Sequence, residues 1–562
     1  MAISYDFQIG KADTLLSEGL KDLDSKEFLK KMWQRDGTVW TADPRHHVIA
    51  AHRLGWLDLP GKMRQQAESL EQFARDRVFR KASHIVHLGM GGSSLAPEVF
   101  FKTFGNAADY PELIVLDSTD PDHIQHVISK VEIESTLFIV ASKSGGTIET
   151  ASLAKLFYDR LTAAGIESVA EHFVAITDAG TALAKEGKEK YDKVFINPSD
   201  IGGRYSALSY FGLVPFALLG RDLMRLLRTA VAEEDACGIG VRASTSNAVR
   251  LGSLLGKLAA TGINKLTIET SSSLSTVGWW IEQLVAESTG KAGKGILPVT
   301  GEEVTAAPFY SKDRVFVYIR LKGDVDLYTE EKIGVLRKNG FPVITIELDD
   351  PYDIGGLFYH WEIATAAAAS ILSIDPFDEP NVQESKDNTR HVLQEYESTG
   401  TMDFGTSSLL ESPMRVYGNA QPANSVQDIL NNLFSGRKSG DYLAMLAYLP
   451  RTVETGEMLF KMQSLLRNRL RVPVTVGYGP RYLHSTGQFH KGGTPNGLFL
   501  QLVHDPVNDY AVPGEKYSFS ALFRAQAIGD YISLKSKSKP IVSLMLGKDF
   551  MSGLKELFAG LD

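Results

Sequence analysis

The sequence predicts an α/β protein: two doubly wound parallel sheets, a helical N-terminal cap before them and a smaller α+β unit after them. Three observations predict it. From His84 onward, short apolar runs alternate with helical patterns, as in HIVHL before GMGGSSLAPEVFFKTF and LFIVASKSG before the helical IETASLAKLFYDRL. Gly-rich turns at 89–94 and 142–147 directly follow two of those runs. The alternation then restarts past residue 231 with KLTIET, RVFVYIRL and FPVITIEL. Apolar runs that pass through a turn into a helix are the signature of βα units, and repeated βα units make a parallel sheet.

In chain order, residues 1–80 read as helical (KADTLLSEGLKDL, SKEFLKKMWQRD, GKMRQQAESLEQFARDRVF) and form the cap. Residues 81–230 hold the first sheet, with strands at HIVHL, LIVLDST, LFIVASKSG, HFVAITD and KVFINP. Residues 231–400 open on the helix SNAVRLGSLLGKLAATG and hold the second sheet, its helices at TVGWWIEQLVAEST, TEEKIGVLRKNG and LFYHWEIATAAAASILS. Residues 401–562 begin with a polar stretch of linker character. Helices at SVQDILNNLFS, GDYLAMLAYL and ETGEMLFKMQSLLRNRL follow, then strands at PVTVGYG, LFLQLVHD and PIVSLMLG around a helix at SALFRAQAIGDYISLK.

Length fits three or four domains of ordinary size. The formal net charge of −9 carries no basic or acidic tail. That argues against nucleic acid as a partner and leaves room for a local anion pocket. The single cysteine, Cys237, excludes an intrachain disulfide and disfavours a cysteine-based zinc site. No apolar stretch has membrane-spanning length, and the N-terminus lacks a signal-peptide pattern, so a cytoplasmic protein with no membrane partner is expected.

The chemistry concentrates on strand ends, where ligands bind doubly wound sheets. In Ser142–Thr147, the hydroxyls of Ser142, Ser144 and Thr147, the charge of Lys143 and a helix N-terminus converge on one point. That suits a monophosphate ester. An ordinary polar turn is the plainer alternative. The turn is not a Walker loop. GMGGSS (Gly89–Ser94) lacks the third glycine of a dinucleotide fingerprint; Gly92 and Ser93 fit phosphate or sugar contact, or the glycines serve only tight turning. IGGRYS (Ile201–Ser206) delivers Arg204 beside a backbone that a ligand can approach. In AESTGKAGKG, Glu287 stands at a helix C-terminus, where the dipole opposes ionisation and favours a general base; Glu282 one turn earlier competes for the role. DPFDEPNVQESK places Lys386 in the first turns of a helix, and LHSTGQFHKGG gathers His484, His490 and Lys491. The histidine spacing matches no common zinc site, so acid/base or substrate contact is expected there and no metal.

Taken in order, GMGGSS, SKSGGTIET, IGGRYSALS, AESTGK and FDEPNVQESK resemble the motifs of the phosphoglucose isomerase family, whose fold is two sugar-isomerase (SIS) sheets. Phe211 stands where that family has a small residue, and Glu379 and Asn381 stand where it has Gln and Gly. WQRDGTVW, RLGWLDLP and GYGPRYLHSTGQFHKGG are similar to the isomerase half of bifunctional transaldolase/phosphoglucose isomerase proteins. No Schiff-base lysine motif stands out for a transaldolase half, so the isomerase alone is expected.

The resemblance implies an aldose–ketose isomerase acting on a small sugar phosphate without a cofactor, as a homodimer. It assigns the 6-phosphate to Ser142, Lys143, Ser144 and Thr147, and sugar contact to Gly92 and Ser93. Glu287 is the implied C2/C1 proton carrier, Arg204 the enediolate stabiliser, and Lys386 the group at the ring oxygen and O5. The family's ring-opening histidine follows the glutamate motif and is donated by a neighbouring subunit. The matching stretch here contains none, which leaves His484, His490 or, less directly, His360. A dual glucose/mannose phosphate isomerase and a non-catalytic SIS sensor are the alternatives.

Overall fold

The computed structural model describes residues 3–79, 82–324, 326–402, 404–405, 407, 409–411, 414–418 and 424–561. Much of the polar stretch after residue 401 thus lies outside the described residues. Three sheets make the framework. The described chain opens on a strand, β1 (Ile3–Gln8), ahead of a segment whose sequence reads as mainly helical. Ile3, Tyr5 and Phe7 alternate with Ser4, Asp6 and Gln8, the period of a strand with one face packed inward. Helices Asp13–Ser25, Phe28–Trp33 and Ala67–Phe79 follow.

The first sheet contains β2 (His84–Gly89), β3 (Glu112–Leu116), β4 (Thr136–Ala141), β5 (Phe173–Asp178) and β6 (Lys193–Asn197). Its order is β3-β2-β4-β5-β6, all parallel. The reversal of direction between β2 and β4 is the switch point where such sheets bind ligands. Gly89 pairs with Ala141 in register, so the turns after β2 and β4 leave the sheet side by side.

The second sheet contains β7 (Lys265–Thr270), β8 (Leu297–Val299), β9 (Arg314–Leu321) and β10 (Val343–Leu348), in the order β1-β10-β9-β7-β8. Only β1 runs antiparallel, closing one edge. The three-residue β8 was not foreseen from sequence. Helix Asn247–Ala260 lies on the apolar helix Ile354–Leu372, and these helices join the main core with the N-terminal cap.

The third sheet contains β11 (Leu409–Glu411), β12 (Met414–Gly418), β13 (Tyr442–Tyr448), β14 (Val474–Tyr478), β15 (Gly497–Val503) and β16 (Ile541–Met545). Its order is β11-β12-β16-β15-β13-β14, parallel through β14, β13, β15 and β16, with an antiparallel edge hairpin. The segment DYLAMLAYL, read as helix from sequence, is the interior strand β13, between β15 and β14. All seven of its residues are buried, so no period-2 signal survives to separate strand from helix. This unit docks on the first sheet through polar pairs. His504 Nε2 meets Asp120 Oδ2 at 2.9 Å, Thr119 donates to Gln526 Oε1 at 2.6 Å, and Arg481 Nη2 meets Glu98 Oε2 at 2.6 Å.

Candidate active site

The hydroxyl turn is built as the sequence suggested. The strand β4, buried along its length, ends just before Ser142, and Thr147 is the residue before helix Ile148–Ala163. Ser142 Oγ and Thr147 Oγ1 stand 2.9 Å apart, and Gly146 N–H points to Ser144 Oγ at 3.4 Å. Gly145 has φ +66°, and a Cβ there would meet Thr181 at 2.7 Å, so the turn needs glycine. Lys143 departs from its expected role: its ammonium is paired with Asp178 and reaches the Ser199 carbonyl at 3.4 Å. The Ser142, Ser144 and Thr147 hydroxyls and the helix N-terminus remain at this turn beside that ion pair.

The turns after β2 and β6 pack against each other. A Cβ on Gly92 would come within 2.0 Å of the Gly203 carbonyl, and Ser206 Oγ donates to the Gly92 carbonyl at 3.2 Å. This contact fixes Arg204 beside the C-terminal end of helix Val277–Thr289. Gly92 and Ser93 are buried in the same seam.

Arg204 is buried and heavily engaged. Its Nε donates to Ser288 Oγ at 2.9 Å, and Nη2 donates to the carbonyls of Pro376 at 2.6 Å and Asp378 at 2.9 Å. Its Nη1 faces Glu287 Oε1 at 3.2 Å and Glu379 Oε2 at 3.1 Å. Glu287 is only 8% exposed, not the solvated helix end that its position alone suggests. Burial pushes its carboxyl above the ordinary glutamate range; Arg204 opposes this and Glu379 reinforces it. Gln283, one turn earlier, donates to Glu287 Oε2 at 3.0 Å and to the His484 carbonyl at 2.8 Å. Glu282 faces elsewhere: it accepts from Thr300 Oγ1 at 2.8 Å and lines a separate cavity of about 340 Å³ with Trp279 and Arg481.

Lys386 lies in the second turn of helix Pro380–Thr399. It lines a cavity of about 40 Å³ with Gly146, Thr147, Glu149, His484 and Gln526. This cavity unites elements from all three parts of the chain. His484 Nε2 bonds Glu149 Oε1 at 2.9 Å, and Gln526 Nε2 donates to the same oxygen at 2.7 Å. Burial pushes the Glu149 carboxyl upward, but the charge and hydrogen bond of His484 outweigh it and hold the group below its ordinary value.

The other two histidine candidates are elsewhere. His490 is buried against Tyr442, with Nδ1 3.0 Å from the Tyr442 hydroxyl, and burial pushes its imidazole down to about 3. His360 joins Tyr5 and Glu233. Sequence reasoning missed Glu149, Gln283, Gln526, Lys291 and Glu379. Glu149 carried a sequence signal as a carboxylate in the first turn after the hydroxyl turn, and Glu379 carried one as a departure from the family motif.

The arrangement defines an α/β protein that sets a hydroxyl-rich strand-end turn and a buried carboxylate–guanidinium pair on one candidate site. Over residues 57–296 the chain matches the phosphoglucose isomerase family. Lys386 and His484 lie beyond that match. A probable glucose-6-phosphate isomerase of Methanococcus maripaludis is 27% identical over 371 residues, covering 59% of this chain and 82% of that protein. The glucose-6-phosphate isomerase of Acholeplasma laidlawii is 28% identical over 389 residues, covering 60% and 90%. Among solved structures, a hypothetical protein of Thermus thermophilus superposes with TM-score 0.59 at 24% identity, covering 69% of this chain and all of that one. A glucose-6-phosphate isomerase of Chlamydia trachomatis gives 0.57 at 20% identity, covering 70% and 89%. These two share the fold.

Proposed function

We propose that this chain is an aldose–ketose isomerase that interconverts glucose 6-phosphate and fructose 6-phosphate through a cis-enediolate. The observation that carries the reading is the buried Glu287 beside Arg204 Nη1, on a strand-end rim that also holds the hydroxyl turn. The kinship over residues 57–296 supports it.

Isomerisation moves one proton between adjacent carbons. The C2–H bond breaks, its proton passes to Glu287, and its electron pair becomes the enediolate. Return of the proton to C1, with the hydroxyl proton moving from O2 to O1, completes the exchange. A carboxylate with a raised pKa suits both transfers, because it gives up as readily as it takes. Negative charge builds on the substrate oxygens next to Arg204, whose fixed N–H groups oppose it in a water-poor cleft. Ser142, Ser144, Thr147 and the helix N-terminus hold the phosphate, and that remote binding orients the reacting carbons.

His484 is the group that opens the sugar ring in this reading, oriented by Glu149, with Lys386 lining the same small cavity. Its position in the third sheet unit, hydrogen-bonded to the helix after the hydroxyl turn, favours it over His490 and His360. The likeness to the isomerase half of bifunctional transaldolase/phosphoglucose isomerase proteins belongs to the same proposal and rests on residues 33–40, 53–60 and 477–493. A cytoplasmic homodimer is its remaining part.

The test is turnover of fructose 6-phosphate by the wild type and Glu287→Gln. The variant loses about 10²–10⁴-fold in kcat while still binding sugar phosphate. Unchanged turnover in Glu287→Gln removes Glu287 as the base. Sugar-phosphate binding without any wild-type turnover favours a sensor.

A further inference from the structure

One nitrogen of Arg204 is contested. Nε and Nη2 are spent on Ser288 Oγ and on the carbonyls of Pro376 and Asp378. Nη1 is the nitrogen left facing the carboxylates, and two of them share it: Glu287 at 3.2 Å and Glu379 at 3.1 Å. An oxyanion forming beside Glu287 must use that same Nη1.

The two acids are set differently. Glu287 is enclosed, whereas the Glu379 side chain is 39% exposed and has a way out to solvent. Glu379 occupies the N-cap position of helix Pro380–Thr399, yet its side chain makes no capping hydrogen bond. The favoured N-cap side chains are the short Asp, Asn, Ser and Thr, and the longer glutamate is not among them. This one turns to Arg204 instead.

We propose that Glu379 is a displaceable counter-ion: it shares Arg204 with Glu287 in the empty site and yields Nη1 when negative charge forms on the substrate. The inference rests on the isomerase reading and concerns a residue to which that reading gives no part. Once Glu287 has taken the C2 proton, it is neutral and the charge sits on the enediolate. Glu379 left in place at that moment repels the enediolate and divides the guanidinium with it. Rotation into solvent removes both effects.

Glu379 is then a positioning and tuning residue. It spares Arg204 an unbalanced buried charge between turnovers, and it raises the basicity of Glu287. The groups facing Glu287 are few. Arg204 comes from the turn after β6, Glu379 from the turn ahead of Pro380, and Gln283 from its own helix. Lys291 lies beyond the helix end, with Asp375 and Asp378 behind it. His484 reaches this cluster through its carbonyl, while its imidazole faces Glu149.

Glu379→Gln tests this, because it removes the charge and keeps an acceptor for Arg204. Glu379→Ala is the second variant. Infrared titration of the empty protein, with the Glu287 band assigned by its loss in Glu287→Gln, reads the base without turnover. The kcat/KM profile reads it with turnover. A phosphorylated five-carbon hydroxamate, which copies the enediolate, reads Arg204. In Glu379→Gln we expect Glu287 to titrate lower by roughly half to one pH unit, with the acid limb of kcat/KM moving alike. The hydroxamate binds about three- to tenfold tighter. An unmoved Glu287 titration with unmoved hydroxamate affinity overturns the proposal. Weaker hydroxamate binding also overturns it and makes Glu379 a direct substrate ligand. A moved titration in a protein without isomerase turnover removes the isomerase reading and keeps the tie between Glu379 and the base.

Discussion

His484 Nε2 is hydrogen-bonded at 2.9 Å to Glu149 Oε1, across 335 residues of chain. One partner follows the hydroxyl turn of the first sheet and the other follows β14 of the third. The two share a small cavity with Lys386. His490, six residues later, belongs to the core of the third unit and meets Tyr442. His484→Asn is therefore expected to lower turnover of cyclic fructose 6-phosphate by about 10²-fold, the scale of one acid/base group. His490→Asn is expected to cost about 1–3 kcal/mol of stability through the broken buried hydrogen bond, with kcat retained below its melting temperature. Steady-state kinetics beside thermal denaturation separates the two. The reverse pattern assigns ring opening to His490.

The pH profile tests the charge next to the base. Burial raises the Glu287 pKa and Arg204 opposes that rise. Only ionised Glu287 can accept the C2 proton, so activity is present above its pKa and lost as pH falls through it. Arg204→Gln takes away the opposing charge. The acid limb of kcat/KM is expected to move to higher pH, and kcat to fall by about 10²–10³-fold as the enediolate loses its donor. A limb that stays in place, measured from pH 5 to 9, shows that Arg204 and the base are not electrostatically linked.

How far the sequence carried these groups depends on how local their signals are. Ser142 to Thr147 were legible because one strand, one turn and one helix N-terminus make the whole device within a dozen residues. Glu287 was legible as a carboxylate at a helix end, but its burial was not. That comes from Arg204 and from the turn ahead of Pro380, neither of which a local pattern reveals. Glu149 and Gln526 meet across 377 residues, and nothing near either residue announces the other. The strand β1 did carry its signal, in alternating apolar residues. The strand β13 carried none, because a run buried on both faces has no period.

Glu282 makes a stability prediction independent of catalysis. It is buried, and burial pushes its carboxyl up to about 7, against a smaller opposing effect of the Thr300 hydrogen bond. A carboxyl raised in the folded state favours folding while it is protonated. Relative to the unfolded chain, that contribution is fully present below about 4.5 and is lost as pH rises through about 7. Glu282→Gln keeps the shape and never ionises. It is expected to match the wild type near pH 4 and to exceed it near pH 8 by up to about 3 kcal/mol, the linkage equivalent of the shift. Denaturant unfolding at the two pH values measures this. An equal difference at both places the Glu282 effect in packing instead of charge.

Lys291 ties to the helix end the same turn that holds Arg204. It is buried one helical turn beyond Glu287, and its ammonium donates to the Asp375 carbonyl at 2.6 Å and to Asp378 Oδ1 at 2.5 Å. The same turn gives Arg204 the carbonyls of Pro376 and Asp378. Burial and the neighbouring Arg204 lower the lysine pKa, while Asp378 and Asp375 pull it back. Lys291→Met keeps the aliphatic stem and removes the charge that ties this turn to the helix end. Arg204 is then free to shift by a fraction of an ångström, which weakens a contact made mainly in the transition state. The expected result is a fall in kcat of about tenfold or more with little change in KM, since the hydroxyl turn that holds the phosphate is untouched. Some loss of stability accompanies it, because Asp378 loses its ammonium partner and keeps His46 at 3.4 Å. Adding Asp378→Asn to Lys291→Met is expected to restore part of the stability and none of the kcat. A rise in KM at unchanged kcat identifies Lys291 as a substrate contact, and recovery of kcat in the double variant shows that Asp378, not the position of Arg204, limits the reaction.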